Sequence, residues 1–299
     1  MRSRVVCVGN LVQDEVFTVA VIPSAGIKVG VLDYRERFGG PAATAAYAIG
    51  ALGGTAAYWG RVGDDAAGDK ALRLLADRGV DCAGVARIAG GRTNRAIVLV
   101  DQKGERGIVS DRLSLPADPG VLPPAFPLDT GVVLADSRWP AGAERALARA
   151  REAGIVTVLD ADGGPREEIA RLVALADHAV FSSEGLRDFV GDGPPEDLLR
   201  HLAVSPGQVV AVTCGAAGSC WLLSGEVVRV PAFAIDAVDT TGCGDVFHGA
   251  YALGLCEGRP PFAAAGFATA AAALKAANGR GWDGMPNREA VDRLLASRV

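Results

Sequence analysis

The stretch D-T-T-G-C-G-D-V, residues 239–246, sets two glycines and a carboxylate at the start of an apolar helical pattern. Gly242 and Gly244 can take positive φ or let a ligand approach the backbone, so the amides of Gly242, Cys243 and Gly244 can converge on one anion. The following V-F-H-G-A-Y-A-L-G-L spaces Val246, Ala250, Leu253 and Leu255 as a helix. A helix beginning here turns its unpaired N–H groups and the positive end of its dipole toward the same anion. Asp245 then stands on the first turn, placed to take a proton from a hydroxyl while the amides hold charge developing on a phosphate. The plainer alternative is a glycine turn capped by Asp239 or Thr240, with Asp245 serving only the helix dipole.

Upstream, the pattern is that of an α/β protein. Apolar strands are expected at 5–9, 131–135, 156–160, 179–181 and 209–213, and helices at 42–52, 67–78, 142–152 and 166–175. Short apolar strands alternating with helices imply a mostly parallel sheet, whose ligands gather beyond the strand carboxyl ends. Asp14, Arg138, Asp160, Asp162, Ser182 and Thr213 fall at or just after such ends. Two segments do not fit a βαβ crossover. Residues 16–38 mix β-branched, aromatic and charged residues in partial alternation, and 94–100 with 107–111 read as a hairpin turning at Lys103-Gly104. Together they suggest a small separate sheet that projects over the core as a lid.

The 299 residues, about half of them apolar, suffice for one large α/β domain. A net charge of −5 gives no support to a broad nucleic-acid face. No apolar run is long and unbroken enough for a membrane span. Six cysteines without a C-x-x-C pair, and no leader ahead of Val5, read as buried thiols in a reducing cytoplasm. Cys243 would offer its backbone amide rather than a nucleophilic sulfur, although a helix N-terminus lowers a thiol pKa. Three scattered histidines make zinc a poor fit, so a metal here would be Mg²⁺ carried by phosphates, carboxylates and water. Neither G-x-x-x-x-G-K-[S/T] nor the G-x-G-x-x-G dinucleotide fingerprint is present.

D-T-T-G-C-G-D resembles the C-terminal signature of the ribokinase, or pfkB, carbohydrate kinases, with Cys243 in place of an alanine. F-G-G-P-A-A-T-A-A-Y-A-I-G-A-L-G resembles the N-terminal signature of the same family, in the matching order. The resemblance spans essentially the whole chain, residues 1–299. It implies a ribokinase-like, three-layer α/β core with a mostly parallel central sheet, and a small β lid drawn from about 15–38 and 92–112 that often pairs in a homodimer. It also implies transfer of the ATP γ-phosphate to a sugar hydroxyl, commonly with Mg²⁺, and leaves a monovalent cation open. By that resemblance Asp245 is the catalytic base and Gly242, Cys243 and Gly244 are the anion hole. Asp14, Gly39 and Gly40 contact the sugar. Ser182, Thr213, Gly215, Gly218 and Asn278 lie on the nucleotide side, where ordinary strand-to-turn chemistry is the alternative for Asn278. Family members often carry N-x-x-E where this chain has F-S-S-E. Ser182 replaces the asparagine, Gly185 stands at the glutamate position, and Glu184 is one residue off for a metal role.

V-L-A-D-S-R-W-P-A-G-A, T-V-L-D-A-D-G and D-V-F-H-G-A look like the sulfofructose kinases, which phosphorylate 6-deoxy-6-sulfofructose at its 1-hydroxyl. There a lysine, an asparagine and an arginine grip the sulfonate; Lys28 and Arg138 match the first and last, and Ser110 falls at the asparagine. An arginine fork with a mobile ammonium suits an anion of three oxygens. The alternatives are a solvated lid lysine at 28 and an ion pair from Arg138 to Asp136 or Asp160. Kinases of a neutral sugar, or of another sugar acid or phosphate, stay open, as does a non-catalytic sugar or nucleotide sensor. Trp139 either walls the sugar pocket or packs, His248 is expected to pack, and Arg35 and Arg37 either meet a partner chain or are solvated.

Overall fold

Val5 and Cys7 point to one side of strand β1 (Arg4–Gly9) and Val6 and Val8 to the other, and each side is buried under its own helices. The computed structural model describes residues 3–202, 205–223 and 225–297. Its main sheet runs outward from β1 in two directions. On one side lie β4 (Thr55–Gly63) and β5 (Ala86–Ile88); on the other lie β8 (Thr130–Asp136), β9 (Val156–Ala161), β10 (His178–Ser182) and β11 (Val209–Thr213). These pairings are parallel, and an antiparallel edge of β12 (Ser219–Leu223) and β13 (Glu226–Val230) completes the sheet. Helices α1 (Pro41–Ala51), α7 (Cys243–Cys256) and α8 (Pro261–Asn278) cover one face. Helices α3 (Pro140–Glu152) and α4 (Arg166–Leu175) cover the other, with the shorter α5 (Ser183–Val190) and α6 (Pro195–Arg200). The result is the three-layer α/β arrangement expected from the alternation of strands and helices.

Helices α1, α7 and α8 are rich in alanine and glycine because they pack closely. A Cβ on Gly249 of α7 would come within 2.6 Å of the Ala45 carbonyl of α1. Large side chains would hold the helices apart and move the first turn of α7 away from the strand ends.

The second sheet has the order β3-β2-β6-β7, from β2 (Val12–Val19), β3 (Val31–Gly39), β6 (Arg95–Val100) and β7 (Arg106–Asp111). Residues 16–38 therefore lie in two strands and the loop that joins them. Asp14 lies within β2 rather than at the end of β1, because the chain re-enters extended structure at Val12. The β6–β7 turn is held by the Asp101 carboxylate, which accepts from the Lys103 and Glu105 amides at 2.8 and 3.0 Å. Helix α2 (Ala66–Ala76) is N-capped by Asp65, whose carboxylate also accepts from the Thr93 amide at 2.8 Å and so fixes the entry into β6.

One buried carboxylate joins the layers. Asp136, at the end of β8, accepts from the amides of Asn10, Ala42 and Arg138 at 2.7, 3.0 and 2.9 Å. It ties the end of β1, the start of α1 and the turn after β8 to one point. Gly40, just before α1, has φ 93°, and a Cβ there would meet the Asn10 carbonyl oxygen at 2.5 Å. Only glycine fits this crossing, so the F-G-G-P signature is a backbone requirement before it is a ligand contact.

Candidate active site

The first turn of α7 faces a cleft lined by Asp14, Gly39, Gly40, Thr44, Gly242 and Asp245, with Lys275 and Trp282 on its far wall. Gly242 is the N-cap of α7 in the left-handed region, φ 76°, and no side chain caps the helix. Asp239 instead accepts from the Thr241 amide at 3.0 Å within the loop. The Cys243 amide donates to the Thr240 carbonyl at 3.1 Å. Of the three amides expected to converge on an anion, Cys243 is therefore already engaged by the tight turn. Among the described residues Gly242 and Gly244 keep unengaged N–H groups, and the space beside Gly244 is open. The Cys243 thiol also departs from expectation: burial pushes it up to about 11, so it stays protonated.

Burial pushes the Asp245 carboxyl up to about 7, with the Asp160 charge adding to the rise and His248 opposing it. Asp160, at the end of β9, is held well above the usual carboxylate range by burial and by Asp162 and Asp136. Its Oδ1 has no partner among the described residues. His248 lies beneath Asp245 and is buried. Its Nδ1 sits 2.7 Å from the Gly244 carbonyl and its Nε2 3.3 Å from the Val180 carbonyl, so in the neutral ring the shorter contact places the hydrogen on Nδ1. Asp160 Oδ2 is 3.4 Å from the same nitrogen, and burial lowers the imidazole below its ordinary value. His248 thus packs and bonds within the fold, as the sequence suggests.

Across the cleft, burial pushes Asp14 up to about 6 against the pull of Arg37. Asp14 stands in register with Arg37 on β3 and Ala96 on β6, and Ala96 with Ser110 on β7. Directly paired residues share a sheet face, so Ser110 stands on the side of the lid that carries Asp14. Lys28 lies exposed in the β2–β3 loop. Arg138 does not pair with Asp136 or Asp160. Its guanidinium donates to the Asp162 carboxylate at 3.1 Å and the Asp162 carbonyl at 2.9 Å, while only its backbone amide reaches Asp136. Beyond Ser110, Arg112 is held below its ordinary value by burial and by the neighbouring Arg138 charge. Two guanidiniums thus crowd one rim. Trp139 packs instead of walling a pocket: it is buried, donates to the Ala117 carbonyl at 2.9 Å, and carries the Arg61 guanidinium 3.9 Å above its ring.

Of the residues expected on the nucleotide side, Ser182 is spent as the N-cap of α5, accepting from the Gly185 amide at 3.0 Å. A Cβ on Gly185 would meet the Ala161 carbonyl oxygen at 2.5 Å, so no glutamate fits there, and Glu184 is exposed on the first turn. Thr213 ends β11, and its hydroxyl lies 3.4 Å from the Phe181 carbonyl. Gly215 and Gly218 shape the turn into β12, with Gly218 closing against the Val230 carbonyl. The Asn278 amide donates to the Gly284 carbonyl at 3.0 Å and so braces the loop after α8. Among the described residues no three of His, Cys, Asp and Glu are grouped to hold a metal.

Residues 2–287 match the pfkB family carbohydrate kinases. The chain belongs to this family. Over 271 residues it is 32% identical to fructokinase-1 of Zea mays, covering 83% of this chain and 82% of that one. It is 28% identical to ribokinase of Bacillus subtilis over 304 residues, 98% of this chain and 100% of that one. A crystal structure from Agrobacterium tumefaciens, provisionally described as a ribokinase, superposes with a TM-score of 0.86 at 34% identity over 100% and 99% of the two chains. The fold of this pfkB kinase is ribokinase-like, and the enzyme is an ATP-dependent carbohydrate kinase.

Three features of this pfkB kinase escape a reading of the sequence. Arg37, expected to be solvated or to meet a partner chain, instead donates to Asp239 at 3.0 Å, joining the lid to the anion loop. Arg106 of β7 reaches the same loop, donating to the Thr241 hydroxyl at 2.9 Å. Lys275 is buried on the wall of the cleft. Charge pairs so distant in sequence leave no local pattern. The signal for Lys275 was present, however: one cation in the alanine-rich run A-A-A-L-K-A-A demands an account.

Proposed function

We propose that the enzyme phosphorylates a primary hydroxyl of a keto-sugar, with Asp245 as general base and the amides at the start of α7 as the anion hole. The observation that carries this reading is the raised, half-buried Asp245 carboxyl beside the unengaged amides of Gly242 and Gly244, opposite Asp14 in one cleft. Asp14 and the backbone at Gly39 and Gly40 orient the sugar hydroxyls. Asp245 accepts the proton of the attacking hydroxyl, and the amides stabilise charge on the phosphoryl oxygens. ATP lies along the turns at Thr213, Gly215 and Gly218. Mg²⁺ would arrive on the nucleotide phosphates, since the chain offers no carboxylate cage among its described residues. The four-stranded sheet serves as a lid within a single kinase domain, and its closure excludes water.

The narrower reading is a substrate with an anionic tail, 6-deoxy-6-sulfofructose phosphorylated at its 1-hydroxyl. Arg138 and Arg112 crowd together, and among the described residues only the Asp162 side chain forms an ion pair with either; Ser110 shares the face of Asp14, and Lys28 hangs from the β2–β3 loop. An anion placed between the guanidiniums would relieve their repulsion. A neutral sugar is the second reading, favoured by the fructokinase and ribokinase relatives. The test compares kcat/KM for sulfofructose, fructose 6-phosphate, fructose and ribose in the parent and in Arg138→Ala. Preference for a tailed sugar and a loss of about tenfold or more in the variant are expected. A neutral best substrate, or an unmoved variant, assigns the second reading.

The lid face opposite Asp14 leaves Tyr34, Ile97 and Val109 exposed, which suits a homodimer formed lid to lid. Sedimentation should give one species of twice the chain mass, shifted to monomer by Val109→Lys; a monomeric parent overturns this pairing.

A further inference from the structure

Lys275 is 1% exposed, near the C-terminal end of α8. Its Nζ donates to the Thr241 carbonyl at 3.3 Å, immediately before the anion loop turns into α7. Among the described residues no carboxylate lies within ion-pair distance of it; Asp239, in the same loop, is taken by Arg37 and Arg106. A buried ammonium without a counter-ion is strongly unfavourable, because it loses its hydration and gains no opposite charge in return. The negative end of α8 offsets part of that cost, and one carbonyl bond does not supply the rest. The ammonium is close enough to the cradle to act on the Cys243 thiol, and it lines the same cleft as Gly242 and Asp245.

We propose that the Lys275 ammonium is the built-in counter-charge of the anion bound at residues 242–244, which on the reading above is the phosphoryl group in transfer. Amide N–H groups approach that anion from the start of α7, and a fixed positive charge approaches from the end of α8. The charge that is costly in the free enzyme is answered when the phosphate arrives, so its burial is spent on binding rather than on stability.

The test measures binding of a non-hydrolysable ATP analogue and of inorganic phosphate by calorimetry, kcat/KM for ATP, and the unfolding midpoint, in Lys275→Met and Lys275→Gln. Glutamine keeps a donor for the Thr241 carbonyl but no charge. We expect both variants to bind the non-hydrolysable ATP analogue roughly 30-fold more weakly and to lose kcat/KM for ATP in proportion, with a midpoint equal to or above the parent's. In Lys275→Ala, ethylammonium should restore several-fold activity where an equal concentration of choline does not. A glutamine variant within threefold of the parent would make Lys275 a strut for the loop and overturn the proposal. So would weak activity in all three variants with a lowered midpoint and no rescue by ethylammonium. Because binding of the analogue is read without turnover, the proposal stands or falls separately from the role of Asp245. If Asp245→Asn stays active while Lys275→Gln loses the ATP analogue, the mechanism fails and the counter-charge holds.

Discussion

Replacing Asp245 with asparagine is expected to cut kcat by about 10³-fold and yet raise the melting temperature at pH 8. The loss follows from removing the one carboxyl that can accept the hydroxyl proton beside the anion hole. The gain follows from linkage. Burial lifts this carboxyl from 3.8 to about 7 in the folded protein. Between those values the native state keeps a proton that the unfolded chain releases, so the contribution to stability falls as pH rises through that window. By pH 8 the buried charge weighs fully, at most about 4 kcal/mol and less once solvent reaches the cleft. Asparagine has no such titration. Its advantage should be a few degrees at pH 8 and should vanish near pH 4, where the parent carboxyl is already neutral. Thermal scans at both values, with single-turnover kinetics, measure the two effects together. Unchanged turnover would remove Asp245 from the chemistry, and a lower melting temperature at pH 8 would show that its charge is better satisfied than its surroundings imply.

Asp14→Ala is expected to lower kcat/KM for the sugar by about 10³-fold while leaving KM for ATP nearly unmoved. An ionised carboxylate can accept two hydroxyl hydrogen bonds, each worth roughly 1.5–3 kcal/mol. Its own value of about 6 adds a second ionisation below that of Asp245. In the parent, log kcat/KM should fall with unit slope as pH drops through 7 and approach a slope of two below 6. Asp14→Asn should keep the unit slope alone. A parent profile with a single ionisation, or an alanine variant within tenfold of the parent, would show that the sugar is held elsewhere.

The strands β1, β8, β9 and β11 and the helices α1, α3 and α4 are legible because they are short apolar runs or clear helical faces bounded by glycine or proline. Helix α8 is not legible in this way. Its sequence P-F-A-A-A-G-F-A-T-A-A-A-A-L-K-A-A-N carries hardly any polar face, because α7 lies on one side and α9 (Arg288–Ala296) on another. Strands β12 and β13 have five residues each, too few to show a clear period: β12 is buried almost throughout, and β13, at the sheet edge, is largely open to solvent. In the site, Asp245, Gly242 and Asp14 announce themselves by residue type. The engagement of the Cys243 amide, the capping duty of Ser182 and the Asp162 partner of Arg138 are decided by tertiary geometry. Each depends on how a turn closes, and no spacing rule encodes that closure.

The contacts of Arg37 with Asp239 and of Arg106 with Thr241 span 202 and 135 residues of chain. On the ribosome, the lid strands therefore emerge long before the loop that receives their arginines, and β1 and β4 emerge long before α7 and α8 can cover their inner face. The first half of this protein must wait, with bare apolar strands, for the last third to be made. A pause in synthesis shortly before residue 239 would leave Asp14, Gly39 and Gly40 made and the opposite wall of their cleft missing, in a form exposed to chaperones, proteases and its own neighbours.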